Sequence, residues 1–206
     1  MTGFSLVETL VALSVGLSLA GTIMQTLTWQ GQIHGRLSRL VRERAWQERT
    51  LNLIAAEVVQ ANRISETPQN ERASCALAGR SAVLHLETGA GPITYTVGSA
   101  PSGIWRGRVL MRCGPAFDLQ GNLSRGSQAQ NRVVLDGLPS QPSPWARCST
   151  LLGGRGSELG NSFRQGFSAC LDPTGTLLGL RLQQELGAGG QVQWISQEKL
   201  LGKLMK

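Results

Sequence analysis

Between Phe4 and Trp29 the chain reads FSLVETLVALSVGLSLAGTIMQTLTW, with a single charge, Glu8, and no proline. As a helix these 26 residues would rise about 39 Å, enough to cross a hydrocarbon layer of about 30 Å. The hydroxyls of Ser5, Thr9, Ser14, Ser18 and Thr22 can return to helix carbonyls, so they are tolerated in lipid. Two ordinary readings compete. A cleaved secretory signal would place Lys or Arg ahead of an apolar core of about 7–15 residues. Here no basic residue precedes the run, and the run is longer. A single-pass anchor accounts for everything except Glu8. An ionised carboxylate costs about 2.5–3.5 kcal/mol at the bilayer centre and less near a helix end. An acid inside such a run calls for a partner.

The stretch Gly3-Phe4-Ser5-Leu6-Val7-Glu8, followed by the apolar helix, resembles the N-terminus of type IV pilins and type II secretion pseudopilins. The resemblance implies a leader of residues 1–3, cut between Gly3 and Phe4 by a prepilin peptidase, and N-methylation of the new N-terminal Phe4 by the methyltransferase. Glu8 is then the fifth mature residue, and the resemblance gives it a role in filament assembly. Its carboxylate would pair with the N-terminal ammonium of the preceding subunit. In low dielectric such a pair is strong and fixes axial register. Members of the family usually carry Lys or Arg before the glycine, whereas here only Met1 and Thr2 precede it.

The resemblance also implies a location and partners. The chain would sit in the inner (cytoplasmic) membrane with its C-terminal domain outside, then enter a pilus or pseudopilus filament. Its partners would be other pilins or pseudopilins, membrane lipid and the assembly platform, with the assembly ATPase acting indirectly. No cofactor is expected. Arg36, Arg39, Arg42 and Arg44 follow the helix and would favour a cytoplasmic position, but long domains translocate largely regardless of charge.

Beyond Trp29 the chain turns polar yet keeps helical spacing. Leu37, Leu40, Val41, Ala45, Leu51, Ile54, Ala55 and Val58 recur at three- and four-residue steps between charged residues. The spacing predicts one N-terminal helix over 4–62 with a bend near Gly31 and Gly35; residues 4–29 are apolar enough for a membrane, and the resemblance implies that they also form the filament core. Residues 63–206 lose that period and read as a second domain, which the resemblance would place outside the cytoplasm. Alternation predicts strands around Ala82–Leu86, Ile93–Val97 and Ile104–Cys113, a short strand at Val133–Leu135, a hairpin around Asp172-Pro173-Thr174-Gly175, and a last strand at Val192–Ile195. Gly114 to Arg132 reads as a long loop. The tail from Lys199 reads as a short helix or a frayed end. The expected fold is α+β, a long helix packed by its amphipathic half on an antiparallel sheet. The segment from Tyr95 to Trp105-Arg106 is similar to a strand–turn–strand pattern of the pseudopilin J type of minor pilin.

Cys75, Cys113, Cys148 and Cys170 contain no Cys-x-x-Cys pair, and the two histidines, His34 and His85, lie far apart. That disfavours a zinc site, and no metal ligand set is proposed. An even cysteine count fits two disulfides in an oxidising compartment. Four cysteines allow three connectivities. The sequential one, Cys75 with Cys113 and Cys148 with Cys170, is preferred. The second pair resembles, in its place, the C-terminal disulfide-bounded loop of type IV pilins.

Nothing in the sequence forms an enzyme site. Neither histidine has a local catalytic motif, and Gly153-Gly154-Arg155-Gly156 lacks the Lys-Ser/Thr of a phosphate loop. The net charge is +7, which opens a second function class, a DNA-uptake pilin. Phosphate contacts need clustered cations, and Arg106, Arg108 and Arg112 would share one face of the third strand, opposite Trp105. The expected function is a minor subunit of a type IV pilus or a type II secretion pseudopilus. The alternatives are this basic nucleic-acid binder and an unrelated membrane-anchored domain.

Overall fold

The computed structural model describes residues 5–66, 79–160, 162–188 and 191–202. Helix α1, Leu6–Gln60, runs 55 residues and is unbroken at Gly31 and Gly35. The chain divides into two compact units, the first ending at Glu43 and the second beginning at Arg44. In the first unit every side chain from Ser5 to Gln30 is exposed. The hydroxyls of Thr9, Ser14, Ser18, Thr22, Thr26 and Thr28 each donate to a carbonyl three or four residues back at 2.8–2.9 Å. Their polar groups are thus satisfied within the helix, as a lipid surrounding requires. This helix is long and apolar enough to cross a membrane.

In the second unit the last turns of α1 lead straight into β1, Ala61–Ser65. The helix was expected to reach Asn62. It stops at Gln60 because the next residues gain partners in a sheet: Ala61 lies opposite Thr88, Arg63 opposite Glu87 and Ile64 opposite Leu86. Strands β2 (Ser81–Thr88), β3 (Gly91–Ser99), β4 (Arg108–Gly114) and β5 (Gln130–Leu138) follow, all antiparallel, and the sheet order is β1-β2-β3-β4-β5. The α+β meander expected from the alternation is therefore present. A second antiparallel sheet, in the order β6-β7-β8-β9, comprises β6 (Ser157–Glu158), β7 (Phe167–Leu171), β8 (Leu177–Ala188) and β9 (Gln191–Gly202). A short helix α2, Cys148–Leu151, precedes β6.

One core joins these layers. Leu51, Ile54 and Val58 of α1 pack with Leu84, Ile93 and Tyr95 of the first sheet and with Phe167, Leu180 and Leu182 of the second. Every one is at most 3% exposed. The helical face that does this is less apolar than its sequence pattern implies. Gln47, Thr50 and Glu57 are buried on it too, whereas Leu37 and Val41 are exposed. The buried polar groups bond to strands. Gln47 Nε2 donates to Ile195 O at 3.4 Å, and Thr50 Oγ1 donates to Val134 O at 3.3 Å.

Several strand limits differ from the alternation. The third strand begins at Arg108, not Ile104. Arg106 N–H donates to the Asp136 carboxylate, Gly137 N–H donates back to Arg106 O, and Gly107 sits at φ +57°, which together make a turn. β5 extends well beyond Val133–Leu135. β9 includes Lys199 to Gly202, expected as a helix or frayed end, because Leu180 faces Lys199 and Leu178 faces Leu201 in an unbroken ladder. Residues 203–206 lie outside the described residues.

Candidate functional site

The sequence places the candidate chemistry at the N-terminus, and the structure describes part of it. Gly3 and Phe4 lie outside the described residues. Ser5 caps α1: its Oγ accepts from Val7 N–H at 3.3 Å, and its carbonyl accepts from Glu8 N–H at 3.0 Å. Glu8 stands in the first turn, exposed. Negative charge there opposes the partial positive charge of a helix N-terminus. Ser5-Leu6-Val7-Glu8 also has the Ser-x-x-Glu spacing of a capping box. That signal was readable in the sequence and gives Glu8 a local role as well.

Cys148 and Cys170 are joined by a disulfide, with their Cα atoms 6.1 Å apart. Cys113 is disulfide-bonded as well. Cys75, its expected partner, lies outside the described residues. Cys148 and Cys170 are buried with Trp145 and Leu152 in a small second cluster. Trp145 meets Phe163 edge-on at 5.5 Å and donates from Nε1 to Glu198 at 2.9 Å. Beneath it lies buried Arg181, 5.7 Å from the ring, whose guanidinium donates to the carbonyls of Ser143 and Pro144.

The three arginines proposed as one basic face are not brought together. Arg106 precedes β4 and pairs with Asp136 at 3.4 Å. Arg108 starts the strand, which keeps a one-to-one register with β3 from Arg108 to Cys113; what separates the three is the turn before the strand, which holds Arg106, and the burial of Arg112. Arg112 is 3% exposed. Its Nε donates to Glu57 Oε1 at 2.6 Å, and its guanidinium lies 4.7 Å from the Phe117 ring.

That buried cluster was not legible in the sequence. Tyr95 and Arg112 are cross-strand neighbours on β3 and β4, and both converge on Glu57 of α1. The Tyr95 hydroxyl donates to Glu57 Oε2. Burial pushes the Glu57 carboxyl above its ordinary range, against the opposing pull of Arg112. Burial also pushes the Tyr95 phenol up, and the nearby Glu57 charge adds to this. The cluster fixes the helix against two central strands, a structural task.

On β2, His85 is buried, with Nδ1 2.8 Å from Thr94 Oγ1. Burial lowers its pKa below the usual value, against a smaller raising effect of Glu87. A folded-state pKa depressed in this way contributes stability above the unfolded histidine's value of about 6.5. That stability is lost as the pH falls through the folded-state value. Glu57, shifted upward by burial, works in the opposite direction. Comparison of wild type with His85→Gln isolates the histidine. Urea midpoints should drop between pH 7.5 and 5.5 in the wild type, and less in the variant. Equal drops would remove His85 as the cause.

Among the described residues no cluster of three or more His, Cys, Asp or Glu is placed to hold a metal ion. No known protein family, curated protein or solved structure matches this chain.

Proposed function

We propose that this chain is a minor, low-copy subunit of a type IV pilus or a type II secretion pseudopilus, anchored by α1 and assembled into, or initiating, the filament. One observation carries the reading. The only charge on the apolar run, which is exposed from Ser5 to Trp29, is Glu8, four residues beyond a Gly-Phe junction. A buried domain helix would not leave such a run uncovered, and a plain anchor has no use for the acid. Support also comes from the second unit, where the following turns of the same helix pack on an antiparallel sheet.

Cleavage after Gly3 would create an ammonium at Phe4. In a filament core that excludes water, that ammonium and the Glu8 carboxylate of the next subunit would attract strongly. Glu8→Leu and Glu8→Gln separate this role from capping, because Gln satisfies the capping box and lacks the charge. Both variants should insert in the membrane at wild-type levels. Both should be lost from sheared filaments by about tenfold or more, about 1.4 kcal/mol or greater. Recovery of Glu8→Gln at wild-type levels would assign Glu8 to capping alone. Co-expression with a prepilin peptidase should shorten the chain by residues 1–3 and methylate Phe4; a chain left intact would end the proposal.

A further inference from the structure

Arg36, Arg39 and Arg42 stand directly beyond the apolar run, and no acid occurs between Thr9 and Arg42. The positive charge of this stretch is therefore concentrated in 7 residues. α1 continues through all of them, and steps of three place them side by side along the helix. Arg36 and Arg42 are exposed, and Arg39 is half-buried. Neither Arg36 nor Arg42 has an ion-pair or hydrogen-bond partner among the described residues. Farther along α1 the signs mix again, with Glu43 and Glu48 interleaved between Arg44 and Arg49. That mixture is ordinary for a solvated helix surface, and the run of one sign before it is not.

Their distance from the apolar run suits one ligand. Trp29 ends that run and is 66% exposed, and a tryptophan at such a boundary sits at the level of lipid headgroups. At about 1.5 Å per residue, Arg36 lies about 10 Å farther along the axis and Arg42 about 20 Å. Tilt of the helix shortens both distances along the membrane normal. Side chains on a helix lean toward its N-terminus, which here is toward the lipid. Arg36 thus reaches back to the headgroup phosphates. Arg39 and Arg42 follow over the next 10 Å or so, about the distance over which the potential of a charged surface persists. The relation depends only on distance along one helix, so it holds for either leaflet.

We propose that Arg36, Arg39 and Arg42 form a binding site for the headgroup phosphate of anionic phospholipids at the end of the apolar run. A guanidinium offers a phosphate two parallel N–H donors. Each basic residue near an anionic surface contributes about 1 kcal/mol, about fivefold in binding. A zwitterionic headgroup carries the same phosphate with an ammonium beside it, so a cluster without acids discriminates between the two by net charge. The proposal rests on α1 as a membrane anchor and not on the pilin reading.

The full-length chain in mild detergent is titrated with equal amounts of phosphatidylglycerol and phosphatidylcholine, and native mass spectrometry counts the lipids retained. Wild type should retain the anionic lipid over the zwitterionic one by at least about fivefold. Arg36→Gln with Arg39→Gln and Arg42→Gln should abolish the preference, with helix content unchanged by circular dichroism. Lysine at the same three positions keeps the charge and should keep the preference, a rescue that a merely structural role would not give. If the glutamine variant does not fold, Arg36→Gln alone, at an exposed position, should lower the ratio at least about twofold. Alkaline extraction of cell membranes scores the anchor separately. A chain released by alkali would end the anchor and this proposal together, whereas an anchored chain without lipid preference would end the proposal alone. An unchanged ratio in a folded glutamine variant, or displacement of the lipid by inorganic phosphate or by a short DNA duplex, would also overturn it.

Discussion

Arg112→Met is expected to destabilise the second unit by about 3–5 kcal/mol, the usual consequence of leaving one member of a buried ion pair without the other. Glu57 would remain fully buried, with only the Tyr95 hydroxyl as a donor. At about 2–4 °C per kcal/mol for a domain of this size, the melting temperature should fall by roughly 6–20 °C. Glu57→Leu alone should be comparably damaging, because it strands a buried guanidinium whose Nη2 already lacks a partner. The informative variant is the triple one, Glu57→Leu with Tyr95→Phe and Arg112→Met. It removes all the polar groups of the cluster together, and apolar replacements of buried pairs are often neutral or stabilising. Recovery to within about 1 kcal/mol of wild type would show that the singles measure stranded charge. If the triple falls as far as the singles, the cluster itself stabilises the fold and this account of it fails. Urea unfolding followed by circular dichroism reads all four proteins.

The same cluster marks where sequence reasoning stops. The apolar run from Phe4 to Trp29 was legible because one physical fact, an apolar helix with a single charge, extends over many residues. The meander was legible because Leu84 and Leu86, then Ile93, Tyr95 and Val97, alternate, and those residues are buried. Glu57 carries no signal of its own in the sequence, and Arg112 reads there as part of a basic strand face. Each is interpretable only when the other is in view, and they are 55 residues apart. Arg106, Arg108 and Arg112 failed as a set for a related reason. A strict two-residue period was carried back through the turn at Gly107, which takes Arg106 out of the strand, and the alternation does not reveal that Arg112 is buried. β1 was missed because Ala61-Asn62-Arg63-Ile64-Ser65 has no alternating signature and is a strand through its pairing with β2. At the N-terminus the sequence carries more than the structure, since Gly3 and Phe4 lie outside the described residues.

Replacing Cys148 and Cys170 together by alanine should cost about 3 kcal/mol, the chain-entropy value for closing a loop of this length. The sequence separation is 22 residues, and the enclosed segment holds α2, β6 and the 3-10 turn Ser162–Arg164, short elements with little core of their own. What ties them down is the disulfide and the cluster built around Trp145. Gly179 of β8 shows how closely that cluster is fitted. A Cβ at this position would lie 3.0 Å from Cys170 Sγ and 3.3 Å from the Trp145 ring. The loss should therefore be local before it is global. In the double alanine variant the Trp145–Phe163 contact and the Arg181 bonds to Ser143 and Pro144 should loosen. Amides from Cys148 to Arg164 should exchange at least about tenfold faster, while Leu84 and Tyr95 in the first sheet stay protected. Hydrogen exchange resolves the two regions. Uniform acceleration across both sheets would mean that the bond stabilises the whole unit, and an unchanged urea midpoint would mean that the Trp145 cluster holds the segment without it.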